Sequence, residues 1–333
     1  MRKEVLAVGC ALMVFCGCGK NNAAQHYESG WAAMEKKDYT TAVNEFQQVI
    51  DQNSRLAESY RAEGIAYYSE KAYPEAIAAF SRSLNNMDDP DKEFKKDVQF
   101  YLAQARMDYG EVDKAIEVYS EILKAGEDEQ AFFLRGKAYI SMEDYKNAEK
   151  DFQRALEGCE DYNLYINIYQ IYVDHNKAVD GDAYLKMALE LEPQDGEDCY
   201  HRGRIYEYEK NYEAARDELK TAMEQGYEDA MLLLGRVYLE MEDPASARSM
   251  YQEYLQKSEQ GAKAYNGLAM CDIYDGAYDS ALENIAQGLK ENSKEDEQGL
   301  LYNEIVAYEY KRDFATAKEK MKIYLEQYPE DEA

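Results

Sequence analysis

The segment Glu129–Tyr162 decides the fold. Its centre reads AFFLRGKAY from Ala131 to Tyr139, and it continues as DYKNAEKDFQRAL from Asp144 to Leu156. Small and large residues alternate here along two faces with helical spacing. Asp144 stands in the short link between them, where its side chain is able to accept the free N–H groups at a helix start. The segment therefore predicts two amphipathic helices joined by a tight turn.

This pattern recurs along the rest of the chain. With Glu129 as position 1 of its unit, nine units begin at Ala23, Ala57, Lys96, Glu129, Tyr162, Gly196, Glu228, Ala262 and Gln298. Position 8 holds Gly30, Gly64, Ala103, Gly136, Tyr169, Gly203, Gly235, Ala269 and Ile305. Position 20 is Ala in eight units and Gly181 in the fifth, and position 28 is large and apolar in all nine. Glycine inside a helix costs about 0.5–1 kcal/mol relative to alanine, so its return at position 8 predicts close packing there.

A period of about 34 residues is typical of a helix–turn–helix solenoid, which grows in one dimension without a single large core. The spacing and the residue types at positions 8, 20 and 28 resemble the tetratricopeptide repeat family. The resemblance implies an all-α fold, a right-handed superhelical solenoid of about nine helix–turn–helix repeats that occupies residues 23–333. The fifth unit departs most from the pattern, because Tyr169 and Gly181 replace the small residue and the alanine.

The N-terminal segment has the form of a signal peptide, predicted over residues 1–17. A short positive stretch precedes the apolar run Val5–Phe15, which is shorter than the ~20 residues that span a bilayer. The residues up to Cys18 resemble a bacterial lipoprotein cleavage box. This implies acylation at Cys18, a short tether over residues 18–22, and a lipid-anchored protein on the extracytoplasmic side of the bacterial cell membrane. Cys10 and Cys16 are alternative sites, and an ordinary signal peptide would leave the protein freely secreted.

The charge balance is strongly acidic. The chain has 38 Lys and Arg residues against 67 Asp and Glu residues, a net charge of −29. Nucleic acid binding depends on cations that neutralise phosphates, and anionic lipid headgroups repel an acidic surface. We therefore expect no nucleic acid partner, and we expect membrane association only through the N-terminal acyl anchor.

Residues that could carry chemistry are few and scattered. The three histidines and the three cysteines beyond residue 18 are His26, His175, His201, Cys159, Cys199 and Cys271. They show neither His-Glu-x-x-His nor Cys-x-x-Cys spacing, and the chain has no glycine-rich phosphate loop. We therefore predict no metal, no cofactor and no catalytic residues, and a protein that is not an enzyme. The cysteines are predicted to be small buried hydrophobes, with a Cys159–Cys199 disulfide as the alternative.

The family resemblance implies a concave groove lined by the first helix of each pair, through positions 2, 5, 9, 12 and 13. The candidate binding residues on or near these positions are Trp31, Tyr68, Phe100, Tyr101, Phe133, Lys137, Tyr200, Arg204, Arg236 and Tyr302. Tyr and Trp are favoured at interfaces. Packing at positions 11, 17, 24 and 27 accounts for other tyrosines. The Lys and Asn clamp by which the best-known groove of the family holds a terminal carboxylate is absent at position 5.

Two functions are consistent with these residues. The first is a membrane-anchored scaffold of the cell envelope that binds a peptide or a partner protein's segment in the groove. In that case Lys137, Arg204 and Arg236, all at position 9, mark a site for an acidic segment, unless they pair with nearby Glu residues. The alternative is a surface glycan-binding lipoprotein that uses aromatic rings as platforms for sugars. Aromatic residues in the groove beside basic residues favour the first function, and exposed rings beside carboxylates favour the second.

Overall fold

The computed structural model describes residues 21–87, 91–258, 261–291 and 294–331. These ranges contain eighteen α-helices and no strand. The first helices of the nine pairs are α1 (Asn21–Glu35), α3 (Leu56–Ser69), α5 (Lys92–Tyr109), α7 (Glu129–Ser141), α9 (Tyr162–Asp174), α11 (Gly196–Tyr208), α13 (Ala230–Glu240), α15 (Ala262–Tyr274) and α17 (Lys294–Tyr310). The second helices are α2 (Tyr39–Asp51), α4 (Tyr73–Asn85), α6 (Val112–Ala125), α8 (Tyr145–Ala155), α10 (Ala178–Leu189), α12 (Tyr212–Glu224), α14 (Pro244–Lys257), α16 (Tyr278–Lys290) and α18 (Phe314–Gln327). The predicted all-α fold of nine helix pairs is confirmed.

Two devices shape the turn inside each pair, a side-chain cap at the start of the second helix in five repeats and a left-handed residue in all nine. Asp144 accepts a hydrogen bond from the backbone N–H of Asn147 (3.2 Å) at the start of α8, and Asp38 does the same for Thr41 (3.1 Å) at α2. One residue earlier, position 15 has a left-handed backbone in all nine repeats, with φ between +57° and +89°. Only two of these nine residues, Gly110 and Gly276, are glycine.

The small residue at position 8 meets a large side chain at position 24 of the same repeat. A Cβ atom placed on Gly136 would lie 2.7 Å from the ring of Phe152, and one placed on Gly235 would lie 2.6 Å from the ring of Tyr251. Carbon atoms normally approach to about 3.5–4.0 Å. The predicted close packing at position 8 is therefore confirmed, and its partner is the position-24 side chain.

Ion pairs join positions 7 and 23 in three of the repeats. Arg135 donates to both carboxylate oxygens of Asp151 at 2.7 and 2.8 Å, and Nε of Arg202 lies 2.8 Å from the Glu218 carboxylate. The ninth repeat reverses the charges, with Lys320 Nζ 2.8 Å from Glu304. Each pair ties the first helix of a repeat to the second.

The second repeat carries only half of this ion pair. Glu63 occupies position 7, but position 23 is Ala79. The Glu63 side chain is 3% exposed, and its Oε2 atom has no hydrogen-bond partner. Burial raises the pKa of this carboxyl, while the positive charge of Arg82 acts in the opposite direction.

The chain separates into two compact units, one extending to Gly181 and the other beginning at Asp182. The core of the first includes the fully buried rings of Phe46, Phe80 and Phe152, and that of the second includes Leu219 and Ile285. The boundary lies within α10, in the repeat whose sequence departs most from the pattern.

The signal peptide predicted over residues 1–17, the acylation site Cys18 and its alternatives Cys10 and Cys16 lie outside the described residues. Helix α1 begins at Asn21, two residues before the predicted first repeat. Among the described residues, no helix is long and apolar enough to cross a membrane.

Candidate binding cavity

The candidate groove residues of the first unit mainly contact aromatic side chains at position 24. The pairs of ring centroids are Trp31 and Phe46 (5.5 Å), Tyr101 and Phe80 (5.5 Å), Phe100 and Tyr119 (6.3 Å), and Phe133 and Phe152 (6.1 Å). Tyr101 reaches the preceding repeat, whereas the other three contact their own. Each of the four is only partly buried, so a free edge remains. All four rings therefore take part in packing between helices.

The two remaining candidates of the first unit differ in their surroundings. The Tyr68 hydroxyl donates a hydrogen bond to Asp108 of the next repeat, and its ring lies 5.8 Å from that of Tyr73. Burial and this hydrogen bond raise the pKa of Tyr68 above its usual value. Lys137 is exposed on α7.

In the second unit, the basic residues at position 9 already have neighbours. Nε and Nη2 of Arg236 each lie 2.7 Å from an oxygen of the Glu207 carboxylate, which forms a bidentate ion pair. Arg204 lies 5.9 Å from the ring centre of Tyr200, and its Nη1 lies 3.3 Å from Nδ1 of His201. Pairing with glutamate, the alternative left open for these residues, is what the structure shows for Arg236.

A cavity of about 870 Å³ opens in the second unit. It is lined by residues of four successive first helices, α11, α13, α15 and α17, and by two tyrosines of α14. Of the candidate residues, Tyr200 and Arg236 line it together, whereas Tyr302 lies outside its lining and has its ring 6.0 Å from Tyr324. The volume falls in the range of about 300–1,000 Å³ typical of ligand sites.

Tyr251 forms one wall of the cavity because two glycines leave space for its ring. A Cβ atom on Gly267 of α15 would lie 2.3 Å from this ring, just as one on Gly235 of α13 would lie 2.6 Å away. The ring thus fits closely between two first helices and extends from α14 to the cavity. Burial raises the pKa of the Tyr251 hydroxyl, so the group is neutral at physiological pH.

Tyr200 on α11 and Asn266 on α15 add polar atoms to the lining. The ring of Tyr200 lies 4.9 Å from that of Tyr227, and burial raises the pKa of Tyr200 despite the nearby positive charge of Arg204. Asn266 accepts a hydrogen bond from Nδ2 of Asn303 in the following repeat (2.7 Å). The cavity therefore presents aromatic faces together with an oriented amide, a combination suited to holding a chain segment.

The sequence positions identified part of this lining. Lys263 and Asn266 stand at positions 2 and 5, so the rule that selected Tyr200 would also have found them. Tyr251 and Tyr254 stand at positions 24 and 27, where the repeat pattern predicts packing residues. The place of the Tyr251 ring depends on Gly267, an additional glycine at position 6 of the eighth repeat.

Among the described residues, the cysteines and histidines form no shared centre. Cys159, Cys199 and Cys271 are free, and Cys159 is half-buried rather than buried as predicted. His201 is buried on α11, and the ring of His26 lies 2.6 Å from the Glu45 carboxylate. Within the described ranges, no group of three His, Cys, Asp or Glu side chains is placed to hold a metal ion.

Paired helices, a small residue opposed to a large one in each repeat and a cavity built by successive first helices define a helical-repeat protein. Two family models described as tetratricopeptide repeat match the chain, one at residues 27–91, 200–262 and 232–296 and the other at residues 129–161. Together they cover more than half of its length. The chain belongs to the tetratricopeptide repeat family.

Solved structures with a similar fold include a tetratricopeptide repeat protein from Parabacteroides merdae ATCC 43184, with 15% identity, coverage of 92% of this chain and 99% of that chain, and a TM-score of 0.46. Yeast Tom70 shares 15% identity over 92% of this chain and 78% of its own, with a TM-score of 0.50. YrrB, described as a tetratricopeptide repeat protein with an unusual peptide-binding site, shares 26% identity over 54% of this chain and 93% of its own, with a TM-score of 0.35. The likeness to Tom70 concerns the fold alone. No match was found among curated proteins.

Proposed function

We propose that the protein is a membrane-anchored scaffold of the bacterial cell envelope that binds a segment of a partner protein in the cavity of its second unit. Tetratricopeptide repeats bind protein or peptide partners, which favours a binding function over a catalytic one. The observation that carries the proposal is the cavity itself, because it unites Tyr200 and Arg236 with the walls of Tyr251 and Tyr254.

The lining supports the binding of an extended segment. Tyrosine rings contribute a large contact area at a low cost in side-chain entropy, and they dominate the energetics of many interfaces. Residues of four successive first helices border the cavity, so its ligand would follow the repeats rather than enter a closed pocket. Asn266 adds an amide that is able to hydrogen-bond a peptide backbone.

Capture of partners from solubilised envelopes tests this proposal. Tyr200→Ala removes one wall of the cavity, and Met270→Trp fills its border. Each variant should reduce recovery of the partner about tenfold or more. Tyr274→Ala is the matched control, because Tyr274 is exposed on α15 outside the cavity. Equal recovery by all variants, with circular dichroism showing intact helices, would place the partner elsewhere.

The anchor forms the second part of the proposal, and it is supported by the sequence around Cys18. Cys18→Ser should move the chain from the membrane fraction to the soluble fraction and abolish incorporation of labelled fatty acid. Cys10→Ser and Cys16→Ser are matched controls that should leave both readouts unchanged. Retention of Cys18→Ser in washed membranes would contradict the assignment.

Glycan binding remains a second candidate because the second unit also exposes aromatic rings outside the cavity. The side chains of Tyr274 and Tyr310 are 53% and 62% exposed, and Tyr310 stacks on Tyr278 with ring centres 6.1 Å apart. A glycan array compares the two functions directly. Sugar binding that is lost in Tyr310→Ala but kept in Tyr200→Ala would support the glycan-binding function.

A further inference from the structure

Carboxylates outnumber cations around the cavity of the second unit. Asp229, Glu291 and Asp296 line it, against Arg236 and Lys263. Arg236 is already held by both oxygens of Glu207, whose side chain is only 13% exposed, and Nζ of Lys263 lies 4.0 Å from Asp296. Counting Glu207 and also Arg204, which lies beside Tyr200, four carboxylates face three cations, so the site carries one uncompensated negative charge.

Two of these carboxylates, Asp229 and Glu291, lie at helix ends. Asp229 precedes α13, but its side chain accepts no capping hydrogen bond, whereas Asp195 and Asp243 cap α11 and α14 in the usual way. Glu291 follows the last residue of α16, where the negative end of the helix dipole disfavours an acidic side chain. Asp229 makes no capping hydrogen bond and Glu291 opposes the dipole of its own helix, and both carboxylates line the cavity.

The aromatic lining also favours a positively charged ligand. Tyr200 is half-buried, and the partial negative charge on the faces of its ring attracts an ammonium or guanidinium group within about 6 Å, as it does the Arg204 guanidinium at 5.9 Å. Tyr251 and Tyr254 are buried and contribute apolar wall. The tyrosine hydroxyls stay neutral because burial raises the pKa of both Tyr200 and Tyr251. The net charge of −29 on the whole chain would also speed the approach of a basic partner.

Building on the proposed function, we infer that the segment bound in this cavity is basic and presents a Lys or Arg side chain to Asp229 and Glu291. A basic segment is the opposite of the acidic segment that the basic residues at position 9 predict. The reversal follows from the ion pair between Arg236 and Glu207, because a guanidinium held by two carboxylate oxygens has little remaining charge to offer a ligand.

Fluorescence anisotropy with two labelled peptides tests this inference. Both probes are about 12 residues of Gly, Ser and Tyr, and they carry three Arg residues or three Glu residues at the same places. At ~0.15 M salt the Arg peptide should bind about tenfold or more tightly than the Glu peptide. The double variant Asp229→Asn/Glu291→Gln should reduce the affinity for the Arg peptide about tenfold.

The matched control separates the cavity from the general acidity of the chain. Glu213→Gln/Glu224→Gln removes the same two charges from exposed positions on α12, outside the cavity, and should change the affinity less than about twofold. An equal loss in both double variants would mean that the Arg peptide is attracted only by net charge, and the inference would be wrong. Tighter binding of the Glu peptide would also overturn it.

Failure of this inference is distinguishable from failure of the proposed function. Chemical cross-linking identifies the partner segment that is bound in the cavity. If Tyr200→Ala abolishes partner capture but the cross-linked segment is acidic, the proposed function stands and the basic ligand is refuted. If Tyr200→Ala changes neither partner capture nor binding of the Arg peptide, both are refuted.

Discussion

Replacing Gly136 by alanine should destabilise the first unit, because the new methyl group has no room. Its carbon would lie 2.7 and 2.8 Å from two atoms of the Phe152 ring, about 1 Å closer than an ordinary contact between carbon atoms. The ring is fully buried, so it has little space to move away. Overpacking of this kind costs about 1–3 kcal/mol. Alanine returns about 0.5–1 kcal/mol through its better helix propensity, so we expect a net loss centred on about 1 kcal/mol and no larger than about 2.5 kcal/mol.

Urea denaturation followed by circular dichroism measures this loss, and hydrogen exchange in α7 and α8 locates it. Gly126→Ala is the matched control, because Gly126 has an extended backbone with φ of 169° and nothing within 4 Å of its Cβ position. It should change the free energy of unfolding by less than about 0.5 kcal/mol. A Gly136→Ala protein as stable as the parent would refute close packing as the reason for glycine at position 8.

Three further predictions concern the turns, the buried carboxyl and the cysteines. Glu143→Gly should raise the free energy of unfolding by up to about 1 kcal/mol, because Glu143 has a φ of +59°, a left-handed conformation that glycine adopts more readily. In the same thermal melts, the control Glu149→Gly inside α8 should lower it by about as much. Burial raises the pKa of Glu63 above 4.5, so the folded state holds this proton more tightly than the unfolded chain. The stabilising contribution of the protonated Glu63 carboxyl is complete below pH 4.5 and is lost as the pH rises through the raised pKa. Urea midpoints across pH 4–8 should therefore vary less in Glu63→Gln than in the exposed control Glu75→Gln. Equal pH profiles in the two variants would contradict a raised pKa at Glu63. Iodoacetamide should label half-buried Cys159 well before Cys199 and Cys271, because Cys199 and Cys271 are buried and burial raises the pKa of Cys271 to about 11. Equal labelling rates by mass spectrometry would contradict this order.

The sequence predicted most of the fold because the repeat is encoded locally. The helix starts follow from caps such as Asp144, and the pairing of helices follows from the small residues at positions 8 and 20. The left-handed turn residue at position 15 was not predictable from residue type, since Lys, Glu and Arg occupy it in six of nine repeats. There the surrounding helix ends impose the backbone conformation, which a sequence pattern built on side chains does not record.

The candidate site was less predictable because its charges depend on distant partners. Arg236 has the right position for a groove residue, yet its guanidinium is held by Glu207, 29 residues earlier in the preceding repeat. A rule based on position within one repeat does not contain that contact. The glycine that accommodates Tyr251, Gly267, likewise belongs to the next repeat.

The location of the cavity in the second unit has a physical explanation in the position-24 side chains. In the first four repeats these are Phe46, Phe80, Tyr119 and Phe152, and each contacts an aromatic residue of a first helix. The sixth repeat has Leu219 there instead, and the ring neighbours of Tyr200 are His201 and Tyr227. Because no ring at position 24 stacks on Tyr200, this tyrosine is able to line a cavity, whereas its counterparts in the first unit serve chiefly to join helices. In the sixth repeat, the aliphatic Leu219 therefore leaves Tyr200 as a binding candidate.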